Sequence, residues 1–290
     1  MWIPFILISA FFLSLYDVSK KKSVHDNAVM PVLFLATLFG ATSYVCMLGT
    51  QGELMRCLDI SSPAFAKVFF KSLLVASSWI FAYYAMRALP FSIVSPIRSS
   101  APFWTLIGAL ILYHEIPSLP QALGMGCVLA GYWYFSQIGQ REGIHFTRNL
   151  GIVYAFAGTL LGACSALYDK YLLQTCAMDK QMMQLWFELD LSLLLGLGLV
   201  IQRASGLHRT PFQWRWTIPL VGILLVAADA FYFAALSEHG VAISVLSLVR
   251  RSNVAFSFLL GAALFREPQL KKKAIALACI LAGIGLLLYK

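Results

Sequence analysis

Residues 95–115 read SPIRSSAPFWTLIGALILYHE, and residues 247–267 read SLVRRSNVAFSFLLGAALFRE. Each begins polar, carries an arginine at its fourth position (Arg98, Arg250), runs through apolar and aromatic residues and closes on a glutamate (Glu115, Glu267). The offset between them is 152, from 250 − 98, and it holds outward in both directions. Ser92, Ser95 and Ser100 fall on Ser244, Ser247 and Ser252, and Leu15-Tyr16-Asp17 falls on Leu167-Tyr168-Asp169. Cys127 falls on Cys279, and Leu129-Ala130-Gly131 on Leu281-Ala282-Gly283. Two unrelated apolar segments share leucines by chance. They do not share a Tyr-Asp, an Arg and a Glu at one fixed offset.

Around these copies the chain divides into ten apolar stretches, about Trp2–Ser19, Ala28–Leu48, Val68–Leu89, Phe91–Tyr113, Leu119–Gln137, Gly151–Leu173, Met182–Gln202, Thr217–Glu238, Val241–Phe265 and Ala274–Tyr289. About 20 apolar residues cross a hydrocarbon layer of roughly 30 Å as a helix. The chain is 60% hydrophobic and 12% charged, against about 45–50% and 25% in soluble domains. It lacks the polar surface that a water-soluble enzyme, a nucleic-acid binder or a disordered chain requires. Outer-membrane barrels show short alternating segments instead of long apolar runs. The predicted fold is an all-α membrane protein with ten transmembrane helices as two inverted five-helix repeats, 1–145 and 146–290. An odd number of crossings per repeat turns the second copy over, an arrangement that transporters use around a central site. The polar run Gly139–Asn149 (GQREGIHFTRN) links the copies.

The net charge of +9 is distributed unevenly. Lys20 to Lys22, Arg87, Arg141, Arg148, Arg203, Arg209, Arg215, Arg266 and Lys271 to Lys273 follow stretches 1, 3, 5, 7 and 9, while Arg56, Lys67, Lys180 and Lys290 lie elsewhere. Basic loops stay in the cytoplasm, so this bias predicts both termini outside. The six cysteines form no C-x-x-C pair and read as small packing residues. Lys20 to Lys22 follow the first apolar run instead of preceding it, so that run reads as a membrane helix and not a cleaved leader.

The fourth and ninth stretches, with their arginine start, aromatic-and-glycine body and closing glutamate, resemble the fourth-helix pattern of the bacterial EamA family in the drug/metabolite transporter superfamily. The Tyr-Asp of the first and sixth stretches is similar to that family as well. The resemblance covers essentially the whole chain in two copies and departs at Leu248, which stands where the first copy has Pro96. It implies a secondary transporter of the bacterial inner membrane whose cavity is lined mainly by helices 1, 3, 4, 6, 8 and 9. The family is usually described with cytoplasmic termini, opposite to the charge count.

Charged side chains at membrane depth are costly unless paired or wetted, so each is a functional candidate. They are Asp17, Lys71, Arg98, Asp169, Lys170, Glu188, Asp190, Asp229, Arg250 and Arg251. Glu115 and Glu267, at helix ends, read as loop anchors. Asp17 and Arg98 belong to the same membrane side, and so do Asp169 and Arg250. Each pair reads either as a substrate or gating charge or as a buried salt bridge that fixes packing. Arg251 has Ser99 as its counterpart. The doubled Arg250-Arg251 is similar to the Lys-Arg pair of organophosphate and nucleotide-sugar carriers in the same superfamily, and arginine suits bidentate capture of carboxylate or phosphate. Alternatively, Arg251 neutralises Glu188, Asp190 or Asp229.

Asp229 lies mid-stretch beside Phe231, Tyr232 and Phe233, whose counterparts are Trp79, Ile80 and Phe81, with Tyr83 one turn further on. Trp79, Tyr83 and Tyr232 are candidates to hold an apolar or cationic moiety, although aromatic stripes also line lipid and core. Glu188 and Asp190 stand about 200° apart on a helix, so at most one of them faces a given cavity. Gly158 and Gly162 form a G-x-x-x-G suited to close helix approach.

No H-E-x-x-H, Walker sequence or oriented nucleophile is present, so neither an enzyme nor an ATP-driven pump is expected, and no cofactor or metal. The expected partners are a small-molecule substrate and the lipid bilayer, with protons admissible as a coupling ion, no nucleic acid, and a monomer or homodimer. The substrate expectation is an anionic or zwitterionic metabolite, resembling an amino acid or organophosphate. The alternative is a cationic or aromatic amphipathic compound held by intramembrane carboxylates, and a receptor or scaffold is the remote one.

Overall fold

The computed structural model describes residues 2–24, 26–88, 97–98, 100–137, 150–206, 210–253 and, near the C-terminus, 275, 278, 279, 281–283, 285 and 286. Among them there is helix and no strand. The helices are α1 (Trp2–Val24), α2 (Val29–Gln51), α3 (Leu54–Leu58), α4 (Ser62–Ala88), α5 (Ala101–Tyr113), α6 (Leu119–Gln137), α7 (Leu150–Lys170), α8 (Lys180–Ala204), α9 (Thr217–Leu236) and α10 (Ile243–Arg250). A π-helical turn, Tyr171–Thr175, prolongs α7.

Six of these are long and apolar enough to cross a membrane: α1, α2, α4 over Ser62–Ala82, α7 with its π-turn, α8 and α9. The apolar helices α5 and α6 add shorter segments, Ala101–Tyr113 and Leu119–Gly131. The chain is a multi-pass membrane protein, helical among the described residues. The fourth, ninth and tenth apolar stretches and the Gly139–Asn149 linker lie partly or wholly outside the described residues. The short α3 was not foreseen, since its five residues are too few for a periodic signal.

The chain forms two compact units, and each draws on both halves of the sequence. The first comprises residues 1–76 and 169–239. Within it α9 packs against α1 and α2, and α8 packs against α2. The close approach of α2 and α9 depends on glycine. A Cβ placed on Gly222 would stand 1.9 Å from the Ala36 carbonyl oxygen and 2.7 Å from the Gly40 nitrogen. Polar side chains close the gaps between helices inside the hydrocarbon. Ser9 Oγ donates to the Ala228 carbonyl at 2.6 Å, and Gln184 Nε2 to that of Val226 at 2.9 Å. Phe12 stacks on Phe231 with centroids 5.9 Å apart, and Tyr44, Leu48, Cys57, Leu185 and Val226 form a buried cluster.

One end of this unit is fastened by Asn27. Its amide donates to the Ser23 and Gln213 carbonyls at 3.0 and 2.7 Å, and its Oδ1 accepts from the Gln213 and Ala28 backbone nitrogens. At the same end Arg215 donates to the Lys22 carbonyl, so basic residues that follow the first and seventh apolar stretches converge. At the other end Arg56 bonds Glu53, Asp179 and Gln181. Trp186 Nε1 donates there to the Cys57 carbonyl at 3.1 Å.

The second unit comprises residues 77–168 and 240–290. Here the Gly158/Gly162 pair serves packing within the chain. Gly158 lies against the α4 backbone, where an added Cβ would meet the Ser78 oxygen at 2.9 Å, and Ser78 Oγ donates to the Gly158 carbonyl at 2.6 Å. Ala85, Ile97, Ile152 and Ala155 make a buried cluster with Tyr154 beside it.

Candidate functional site

Lys71 is the largest charged group inside the first unit, and it is 2% exposed. It lies on α4, and its Nζ stands 2.8 Å from Asp169 Oδ1 near the end of α7. The same ammonium lies 3.8 Å from the ring centroid of Phe187 (α8) and 4.9 Å from that of Phe233 (α9). An ammonium against two aromatic faces and a carboxylate is a desolvated charge held by an opposite charge and by ring quadrupoles. Neither partner is tolerable alone at this depth.

The π-turn begins two residues after Asp169. It sets the Cys176 nitrogen 2.8 Å from the Tyr171 carbonyl, a wider loop than an α-turn. One helical turn before Lys71, Lys67 reaches the same segment, with Nζ 3.3 Å from Cys176 Sγ and 5.8 Å from the Tyr171 ring centroid. Two lysines on one face of α4 therefore grip the irregular end of α7. π-turns insert one residue into a helix and recur at functional sites.

Glu188 adjoins Phe187 on α8 and is 1% exposed. Among the described residues its Oε1 has no hydrogen-bond partner. Lys71 and Asp229 lie within electrostatic reach of it, and it acts in turn on Tyr44 of α2. Asp190 is buried too, on another side of α8, and its Oδ2 likewise lacks a partner among the described residues. The 200° separation thus puts the two carboxyls in different surroundings without exposing either, because α8 is covered on more than one face.

The first unit also holds Asp229, half-buried, Tyr232, buried, and Asp17, exposed at its place on α1. The second unit holds Arg98, Arg250, Arg251 and Trp79, all half-buried, while the Tyr83 side chain lies outside the described residues. The structure places Asp169, Glu188 and Asp229 in one neighbourhood with Lys71. The last was flagged as an intramembrane charge but not counted with the site. Its counterpart in the repeat is Ile223, so the internal symmetry did not mark it.

Glu115 proves more than a loop anchor. His114 takes a left-handed conformation (φ 51°) that ends α5. Glu115 beyond it accepts from the Ile243 and Ser244 nitrogens at 3.0 and 3.2 Å and from Ser244 Oγ at 2.7 Å. A carboxylate at the exposed N–H groups of a helix start satisfies those donors and complements the helix dipole. Glu115→Ala is expected to lower thermal stability by about 1–2 kcal/mol, the scale of a lost N-cap, with Glu115→Gln losing less. A thermal unfolding series on the purified variants measures this, and an unchanged melting point in Glu115→Ala would refute it.

No curated protein matches the chain. A solved structure described only as "Crystal structure of protein" shares the fold, with a TM-score of 0.74 at 18% identity over 98% of this chain and 95% of that one. Over residues 1–137, which contain Lys71, Arg98 and Glu115, the chain matches the model of the EamA-like transporter family.

Proposed function

We propose that the chain is a secondary transporter that moves a small organic metabolite across a bacterial inner membrane by alternating access. Its ten helices form two inverted five-helix repeats, 1–145 and 146–290. The observation that carries this reading is the buried Lys71–Asp169 pair with Glu188 beside it, Lys71 lying within residues 1–137, which match a transporter family model. A receptor or scaffold has no need of charges at that depth, and a transport cycle does.

The substrate is anionic or zwitterionic. Arg98, Arg250 and Arg251 are half-buried and offer planar donors to carboxylate or phosphate. The buried carboxyls Glu188 and Asp190 favour a second reading, in which a cationic compound is carried. Thermal unfolding of the purified protein against metabolites sorted by charge decides between them. A ligand that binds only the folded state adds about 2.7 kcal/mol at one hundred times its dissociation constant. Stabilisation by anions or zwitterions that Arg250→Ala abolishes is the expected result. Stabilisation by cations that survives Arg250→Ala and is lost in Asp229→Asn reverses the substrate class. Failure of every stabilising compound to exchange across liposomes holding the protein overturns the transporter reading.

A further inference from the structure

We propose that the Asn27 end of the first unit binds one anionic phospholipid, its phosphate on Lys22 and Arg215 and an acyl chain along an aromatic shelf of Trp216, Trp214 and Phe39.

The segment before α9 is held in place from two sides. Asn27 bonds both backbone groups of Gln213, and Arg215 donates to the Lys22 carbonyl. Between and beyond these anchors stand two indoles, Trp216 at 83% exposure and Trp214 at 46%. Their ring centroids are 6.0 Å apart, edge to face, and Trp214 stands 6.0 Å in turn from the exposed Phe39. Phe39 lies ten residues beyond Val29, hence about 15 Å from the start of α2. Trp214 therefore lies along the flank of α2, and the three rings run from the helix ends toward hydrocarbon depth. Indoles favour the boundary between headgroups and hydrocarbon, and a row of rings that continues inward fits an acyl chain.

The outer edge of the shelf is basic. Lys22 is exposed and Arg215 half-buried. A guanidinium has five N–H groups, and Arg215 gives them to two neutral acceptors, the Lys22 carbonyl and Gln213 Oε1. Among the described residues no carboxylate is paired with Lys22 or Arg215. Lys20 and Arg203 belong to the same end, where Gly198 of α8 approaches Met30 of α2, and Asp17 and Asp26 are the acidic residues there. A planar fork beside an ammonium suits a phosphate. Bases above and aromatic rings below match the two parts of an anionic lipid. A zwitterionic headgroup brings its own cation and gains less from the same bases.

Native mass spectrometry of the full chain in detergent, titrated with phosphatidylglycerol, phosphatidylcholine and soluble glycerol phosphate, tests this. Wild type is expected to retain one phosphatidylglycerol more tightly than phosphatidylcholine and to retain no glycerol phosphate. Lys22→Gln leaves the main-chain clamp intact. It is expected to weaken phosphatidylglycerol about fivefold, the scale of one basic residue near an anionic surface, and to leave phosphatidylcholine unchanged. Trp214→Ala weakens both lipids. Equal retention of the two lipids by wild type overturns the site and leaves only an ordinary interfacial belt. A preference that survives Lys22→Gln/Arg215→Gln overturns it as well. Glycerol phosphate that displaces the lipid would make this a site for a free anion and would remove the shelf from it. If Trp214→Ala does not elute as a folded protein, phosphatidylglycerol brominated on its acyl chains decides. It is expected to quench the tryptophan fluorescence of wild type more than that of Trp214→Phe, and equal quenching overturns the shelf.

Discussion

Lys71→Met is expected to destabilise the protein by about 3–5 kcal/mol, the range for removing one partner of a buried ion pair. The methionine fills most of the lysine volume and keeps contact with Phe187 and Phe233, so packing changes little. What changes is Asp169, which is 5% exposed and loses the ammonium that stood 2.8 Å from its carboxylate. The side chain must then take a proton or draw in water, and either route forfeits the cation–π contacts with both rings as well. The double variant Lys71→Met/Asp169→Asn removes both charges and is expected to regain most of the loss, because the penalty belongs to the orphaned charge. Thermal unfolding of both variants in detergent, read by tryptophan fluorescence, makes the comparison. Equal melting points for the single and double variants would show that the pair contributes no coupling energy.

Gly222→Val is expected to cost about 3 kcal/mol or more, above the usual range for an overpacked core. The obstruction is backbone, not side chain. A Cβ there would stand 1.9 Å from the Ala36 oxygen and 2.9 Å from its carbonyl carbon, so α9 and α2 must separate along their whole crossing. Separation would also loosen Val226, which packs with Tyr44 and Leu48. Two glycines of α2 calibrate the effect. An added Cβ at Gly40 meets Val226 Cγ2 at 3.0 Å, which gives way by rotating, and the Gly222 oxygen at 3.2 Å, far less close than the 1.9 Å at Gly222, so Gly40→Ala should cost less. At Gly49 nothing stands within 4 Å, and alanine there is expected to be neutral or to stabilise by up to about 1 kcal/mol through helix propensity. Folded yield by size exclusion and melting temperature should rank the three accordingly. A Gly222→Val protein that melts with wild type would remove the close crossing.

The helices were legible because a membrane span is a statement about length and polarity, and α1, α2, α7, α8 and α9 fall where apolar runs predict them. Asp169, Glu188 and Asp229 were legible for a related reason: a charge inside an apolar run stands out. Which charges meet was not. The helical period says which face a residue occupies on its own helix and nothing about the partner helix. Lys71 meets Asp169 only because α4 packs on the end of α7. The π-turn that brings Cys176 and Tyr171 to Lys67 leaves no composition signal, since YLLQT would serve an ordinary helix equally well. Glu115 was placed at a helix end correctly, but its use as the cap of a different helix depends on the left-handed turn at His114. The G-x-x-x-G at Gly158 was recognised as a close-packing motif, and its partner, the α4 backbone at Ser78, came only from the fold.

The assembly of the first unit from both halves of the chain has a consequence for synthesis. When the ribosome has delivered α1, α2 and α4 to the membrane, Lys71 has no Asp169, Ser9 has no carbonyl acceptor on Ala228, and the groove beside Gly40 is unfilled. Lys71 waits in lipid until α7 has been translated, and Ser9 and the Gly40 groove wait until α9, more than a hundred residues after α4 is complete. A nascent first half therefore displays the exposed intramembrane charge and unmet polar groups that membrane proteases and insertion chaperones act on. Premature stop or stalling between α5 and α8 should yield fragments that are cleared, not half-carriers that persist.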